Sequence, residues 1–335
     1  MVQFYVTDNR AHIGIKDGRV EVHHTDGLLR SVPLESVEGI TIIGNAQITT
    51  GCVSECLKKG IPIQYYSTKG FYFGKTSSTQ HVSTKRQRLQ IKLTENEEFS
   101  LEIAKIILEA KVNNQVVLLR RYRRSSEENV EEQVRHMKIL SQKISQAKSL
   151  EEVCGYEGNS ARSYFKALNI LINNSEFEFK GRTRQPPKDE FNSMLSLGYS
   201  ILMNDVYGAL EGRGLNPYFG FIHQDREKHP TLASDMMEEW RAVIVDSVVM
   251  SLVNGNEISA QHFYKDDETQ GVFLKKDGLK IFISKLEKRF NTSMKYLEYL
   301  DYSVSFRRAT DLQALQLCKA IEEGDPKLYK PIIIR

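Results

Sequence analysis

Apolar residues alternate with polar ones over roughly the first 76 positions of this chain, then recur every three or four residues almost to its end. QFYVTD, HIGIK, RVEVHH, LLRSVPL and GITIIG are short β-branched or aromatic runs separated by the turn signals DNR, KDG and TDG, and they predict strands. TTGCVSECLKKG predicts one helix closed by Gly60, after which IPIQYYS and GFYFGKT predict two further strands. The segment TSSTQHVSTKRQR is polar and loses the alternation, which marks a linker over 77–90. Beyond it, SLEIAKIILEAKVNNQVVLLRRYRR has helical period and ends in a basic cluster, and SSEENVEEQVRHMKILSQKISQAK predicts a solvated, charged helix. Further helices are predicted at 157–174, 188–211, 232–254, 276–296 and 303–323. The expected fold class is α+β: a small β-rich domain over 1–76, the linker, and a larger all-α-helical domain over 91–335 that carries the chemistry. A β-rich unit this small buries only about 60% of its unfolded surface, which favours pairing with a second copy.

Composition narrows the function classes only a little. The chain has 335 residues, 40% hydrophobic and 27% charged, with a formal net charge of +3. Those values are ordinary for a soluble globular protein, and a nucleic-acid surface would have to be a local basic patch. Four cysteines without a CxxC pair form neither a zinc nor a disulfide framework, so core packing is expected for them. The opening MVQFYVTDNRAHIGIK does not read as a secretory signal, and AVIVDSVVMSLV is too short and too polar at Asp246 to span a bilayer. No membrane association and a cytoplasmic location are therefore expected. GFYFGKT imitates a phosphate-binding loop but has three residues between its glycines, where that motif has four. Its aromatic side chains would also block the backbone approach a phosphate needs, so an aromatic strand is the better reading.

Three stretches of the helical part carry candidate chemistry. In CGYEGNSARSYF, Glu157 is followed by small residues that leave room for a close neighbour, although an acid in a first helical turn also has a plain electrostatic reason to be there. In FKGRTRQPPKDEF, Lys180, Arg182, Arg184 and Lys188 surround a stiff Pro186–Pro187 turn, an arrangement suited to phosphate oxygens, and Asp189 is placed to cap the next helix. In GFIHQDREKHPTLASDMMEEWR, Asp235 and Glu238 stand at the spacing of a capping box, which explains both acids but not His223. One imidazole with hard carboxylates suits Mg²⁺ or Mn²⁺. Spacing alone does not bring Glu157, His223 and Glu238 together.

Taken in order, IIGNAQITTGCVSECLKKGIPIQYYSTKGFYFG, AKVNNQVVLLRR, GYEGNSARSYF, FKGRTRQPPKDEFNSMLSLGYSIL, GLNPYFGFIH, SDMMEEWR and SFRRATDLQAL…YKPIIIR run nearly end to end. Together they resemble the CRISPR-associated protein one family, the integrases of spacer acquisition. The resemblance implies a metal trio at Glu157, His223 and Glu238, with Asp235 a second acid in the site and Mg²⁺ or Mn²⁺ as cofactor. It implies DNA-backbone contacts by Arg120, Arg121, Arg123, Arg124, Lys180, Arg182, Arg184 and Lys188. Gln185 stands where many relatives have a third arginine. The implied reaction joins the 3′-hydroxyl ends of short foreign DNA duplexes to a CRISPR repeat, by direct transesterification. The implied assembly is a homodimer formed through the β domains, two of which bracket a dimer of a small ferredoxin-like companion protein in a heterohexamer. Two other readings use the same residues: a metal-dependent nuclease acting on branched DNA, in which water replaces the 3′-hydroxyl, and a non-catalytic scaffold that organises DNA.

Overall fold

The computed structural model describes residues 2–124 and 128–335. The chain divides into two compact units, Met1–His81 and Val82–Arg335.

In the first unit the alternating runs form two four-stranded sheets. β1 (Val2–Val6) lies parallel to β5 (Val37–Ile43), β5 lies parallel to β7 (Ile63–Tyr66), and β8 (Tyr72–Thr76) pairs antiparallel with β7 at the edge. The phosphate-loop imitation is thus part of a strand. The other sheet has the order β4 (Gly27–Pro33), β3 (Arg19–His24), β2 (His12–Lys16), β6 (Gln47–Ile48). Asp17 and Gly18 both have positive φ, at 49° and 72°, and this two-residue turn carries β2 into β3 with the twist a hairpin needs. Helix α1 (Thr50–Lys58) begins at Thr49, whose hydroxyl accepts a hydrogen bond from Cys52 N. Cys52 and Cys56 are fully buried in one core with Phe4, Ile13, Val20 and Ile40, which is the packing role expected of them.

The second unit is mostly helical, and its first helix corrects the linker expectation. Within 77–90, Thr84 already starts α2 (Thr84–Thr94), capped by the Ser83 hydroxyl. Its inward face is built on Gln90, whose amide donates to the carbonyls of Asn216 and Phe219 and accepts from Asn216 N. A helix that buries an amide in place of an apolar side chain leaves little periodic signal. α3 (Glu97–Arg123) is the central helix, packed against α4 (Glu131–Gln146) and α5 (Leu150–Leu171). α4 was expected to be solvated, but Val134, Met137, Leu140 and Ile144 form a buried stripe on it. Ser125, Ser126 and Glu127 of that stretch lie outside the described residues.

α5 starts at Leu150, capped by Ser149, and so places Glu157 about two turns inside the helix, not in its first turn. Asp189 caps α6 (Glu190–Gly212) as expected, accepting from Asn192 N at 2.7 Å. The helix expected over 232–254 changes its winding three times. α7 (Thr231–Met237) passes into a 3-10 turn (Glu238–Trp240), then a π turn (Ala242–Asp246), then α8 (Ser247–Asn254). α9 (Lys276–Phe290) and α10 (Phe306–Glu323) complete the set. The unit is not wholly helical: Phe263–Lys265 pairs with Val272–Leu274, and Ser293–Met294 with Val304–Ser305. Among the described residues no helix is long and apolar enough to cross a membrane.

Candidate active site

Two of the three predicted ligands meet on one lysine. Lys111, near the middle of α3, is buried, and its Nζ stands 2.5 Å from Glu157 Oε1 on α5 and 2.6 Å from Glu238 Oε2. Arg241 Nε lies 3.0 Å from that same Glu238 oxygen. Burial alone would lift the Glu238 carboxyl, but the Arg241 and Lys111 cations outweigh it and hold the group at about 2. Burial would likewise depress the Lys111 ammonium, and Glu157 and Glu238 together raise it. The Lys111–Glu157 contact is a hydrogen bond, whereas those to Glu238 are close yet poorly aligned: Glu238 Oε2 and Arg241 Nε are both buried without a hydrogen bond of acceptable geometry.

His223 reaches the same region from the loop before α7. Asp235, fully buried, accepts from the backbone N–H of Phe221 at 2.7 Å, of Ile222 at 2.9 Å and of His223 at 3.3 Å. Its Oδ1 also receives the His223 Nδ1 proton at 2.6 Å. An ionised carboxylate only accepts, so the neutral ring carries its proton on Nδ1 and keeps its Nε2 lone pair for a ligand. The hydrogen bond that His223 donates to Asp235 raises the His223 pKa against the opposition of burial. Asp235 is therefore neither a helix cap for α7 nor placed as a ligand. All its capacity goes into shaping the 221–223 turn and aiming the imidazole. Gly220 belongs to this arrangement, since a Cβ there would lie 2.5 Å from Asp235 Oδ2. The glycine of GLNPYFGFIH is required by close approach.

Behind Arg241 lies a buried polar network. Its guanidinium sits 4.7 Å from the ring centroid of Tyr199, over which Arg182 also lies at 5.3 Å. Tyr199 and Tyr164 donate to the two oxygens of Asp246, at 2.5 and 2.6 Å. Asp246, which interrupts the apolar AVIVDSVVMSLV, is thus an anchor for the π turn beside the site.

The basic residues divide into two groups. Arg182 turns inward, bonding Asn192 Oδ1 at 2.9 Å and the Thr183 carbonyl, so it builds the loop. Lys180 pairs with Glu178, Arg123 with Glu131, and Arg121 donates to the Arg335 carbonyl at 2.5 Å. Arg120, Arg124, Arg184 and Lys188 are exposed.

Lys111 and Arg241 were not singled out from the sequence. A signal was present for the lysine: it lies on the stripe Ile107, Lys111, Asn114, Leu118 of α3, where an isolated charge on a buried face demands an opposite charge. Among the described residues no three His, Cys, Asp or Glu side chains stand close enough together to hold a metal ion as they are arranged. The Lys111 ammonium between Glu157 and Glu238 is the physical reason, because a cation already separates the two acids. That same cation shows that the pocket is built for positive charge, and the donor set of two carboxylates and one imidazole nitrogen suits Mg²⁺ or Mn²⁺.

Comparison with known proteins places this geometry in a family. A family model described as CRISPR associated protein Cas1 matches residues 4–288. A CRISPR-associated endonuclease Cas1 from Mycobacterium tuberculosis is 38% identical over 326 residues, covering 97% of this chain and 96% of that protein. In fold, the chain overlays on a casposase bound to integration product with a TM-score of 0.86 at 20% identity, covering 100% of this chain and 96% of the other. It also overlays on a chain of a Cas6-RT-Cas1–Cas2 complex with a TM-score of 0.83 at 24% identity, where 98% of this protein covers 36% of that chain. With a match over most of its length and a relative of that identity, the chain belongs to the CRISPR-associated Cas1 family.

Proposed function

We propose that this protein is a metal-dependent DNA integrase of CRISPR adaptation, joining the 3′-hydroxyl ends of short foreign duplexes to a CRISPR repeat. The observation that supports this most is the cation-binding arrangement itself: Glu157 and Glu238 facing one ammonium, with His223 oriented beside them by Asp235. Glu157, Glu238 and the free Nε2 of His223 would hold Mg²⁺ or Mn²⁺. Such an ion supplies polarisation of the attacking hydroxyl and charge stabilisation at the attacked phosphate. Asp235 fixes the ring that presents Nε2, and Arg241 stays beside Glu238 as a fixed positive charge. Lys111 would give up its place between the acids to such an ion. No protein nucleophile is required, since the DNA 3′-hydroxyl itself attacks.

The partners follow the same reading. DNA is held through its backbone by the exposed Arg120, Arg124, Arg184 and Lys188. A second copy of the chain covers the edge strands of the β unit, where Leu28 and Leu29 on β4 are 55% and 57% exposed and Phe73 on β8 is 73% exposed. A dimer of the small ferredoxin-like companion joins two such dimers in a heterohexamer; one structural relative is itself a chain of a Cas6-RT-Cas1–Cas2 complex.

The test uses purified protein, companion and a supercoiled CRISPR target, with joined and cut products scored separately. Wild-type protein should join in Mn²⁺, and Glu157→Gln should lose joining by orders of magnitude. Cut products without joined ones would assign the site to hydrolysis of branched DNA. Undiminished joining by Glu157→Gln would favour a scaffold.

A further inference from the structure

A second cationic site lies away from the acids, at the C-terminal end of α3. A cavity of 380 Å³ is bounded there by Arg121, Lys285, Lys288 and Arg289, with Leu118 and Val248 among its walls. No carboxylate lines it. The four cations differ in how their charge is answered. Lys285 pairs with Glu257 and Arg121 meets the Arg335 carbonyl. Arg289 spends Nε and Nη2 on the carbonyl of Val243, at 2.8 and 2.6 Å, and lies 4.5 Å from the centroid of the Phe306 ring. Among the described residues neither Arg289 nor Lys288 forms an ion pair. Burial, with Arg121 beside it, pushes the Arg289 guanidinium below its ordinary value. The contrast with other arginines of the unit is plain: Arg307 meets Glu287 and Asp205, and Arg213 meets Asp311. Cations gathered around a concavity without an anion repel one another, and a bound anion would relieve that cost.

We propose that this cavity binds the phosphate of a nucleotide, with Arg121, Lys288 and Arg289 on the phosphate oxygens and the wall of Leu118, Val248 and the Tyr122 ring against the organic part. Guanidinium groups present several donors in one plane and suit phosphate. The apolar wall argues for more than a bare inorganic ion, and the volume is of the size that small-ligand sites have. The Tyr122 hydroxyl is tied to the Ser247 carbonyl at 3.2 Å, so the ring is held in place. Lys111 and Arg121 are ten residues apart on one straight helix, about 15 Å. That separation amounts to a few backbone phosphates of one strand, at roughly 3.4 Å each. The nucleotide is therefore either a unit of the DNA strand that reaches the acids or a free nucleotide. The strand source rests on the integrase reading and the free nucleotide does not; neither depends on the metal.

The experiment titrates the full chain, in chelator, with inorganic phosphate, deoxyadenosine monophosphate and a five-nucleotide single strand, read by calorimetry. Wild-type protein should bind at least one of the two nucleotide probes, and more tightly than inorganic phosphate. Lys285→Gln with Lys288→Gln should weaken that binding about ten-fold or more. The exposed Lys288→Gln alone serves if the pair perturbs the circular dichroism, with a smaller loss in the same direction. Tighter binding of the oligonucleotide identifies a strand as the source, and equal or tighter binding of the mononucleotide identifies a free ligand. The proposal is overturned by no nucleotide binding, by binding that phosphate alone matches, or by lysine variants that bind like wild type. Because chelator silences the acids, failure here is separate from failure of the integration assay.

Discussion

Lys111 answers two carboxylates at once, and removing it leaves both in a poorly hydrated place with only Arg241 nearby. Breaking one side of a buried ion pair costs about 3–5 kcal/mol, which for a domain of this size lowers the melting temperature by about 10 °C. Lys111→Gln should therefore melt well below wild type in chelator. Saturating Mn²⁺ should restore most of the difference, and calorimetric titration should show tighter Mn²⁺ binding than in wild type. A deficit of the same size at saturating Mn²⁺ would make the lysine purely structural. The residue scale also shows what the chain concealed. Glu157, His223 and Glu238 stood out as candidates because they lie in specific motifs. The cap reading of Asp235 failed because its spacing to Glu238 imitates a cap, whereas its four hydrogen-bond donors lie in the loop at 221–223.

Among the elements, the loop at 179–189 separates binding from building. Arg184 and Lys188 are exposed, whereas Arg182 bonds Asn192 and stacks on Tyr199. Replacing Arg184 and Lys188 by Gln should weaken DNA binding about equally across sequences and flatten its salt dependence by about one to two units of slope. Arg182→Gln should instead lower the melting temperature. Salt titrations of binding beside thermal melts distinguish the two; a flatter slope with unchanged melting for Arg182→Gln would return that arginine to the DNA surface. The three changes of winding between Thr231 and Asn254 belong to this scale as well. Periodicity predicted one helix, and the π turn, whose Val243 carbonyl takes two bonds from Arg289, is set by neighbours from another helix.

Across the whole molecule, buried carboxyls set how stability follows pH. Glu239 is fully buried and accepts from Tyr329, Gln313 and Ile332, and burial raises it to about 7 despite those bonds. The folded chain then keeps a proton that the unfolded chain releases near 4.5. That stabilisation is complete below 4.5, declines as pH rises to about 7, and is worth about 3 kcal/mol across the window. Asp246, raised by burial, acts in the same direction. Glu238 acts oppositely and in a lower window: its contribution is present above 4.5 and is lost as pH falls through about 2. Melting temperatures between pH 5 and 8 should decline in wild type, and more shallowly in Glu239→Gln. Parallel curves for the two proteins would remove Glu239 as the cause.

The sequence by itself determined the β-then-helical order and most strands and helices, and it offered Glu157, His223 and Glu238 as candidates. Those features are written in local period, turn chemistry and motif, which need no knowledge of distant neighbours. Only the tertiary structure decided that Lys111 stands between Glu157 and Glu238, that Asp235 holds His223, that Arg182 faces inward, and that α2 begins inside the expected linker. Each of these is a long-range electrostatic or hydrogen-bonded contact, and the desolvation that makes such a contact strong arises only once the helices have closed around it.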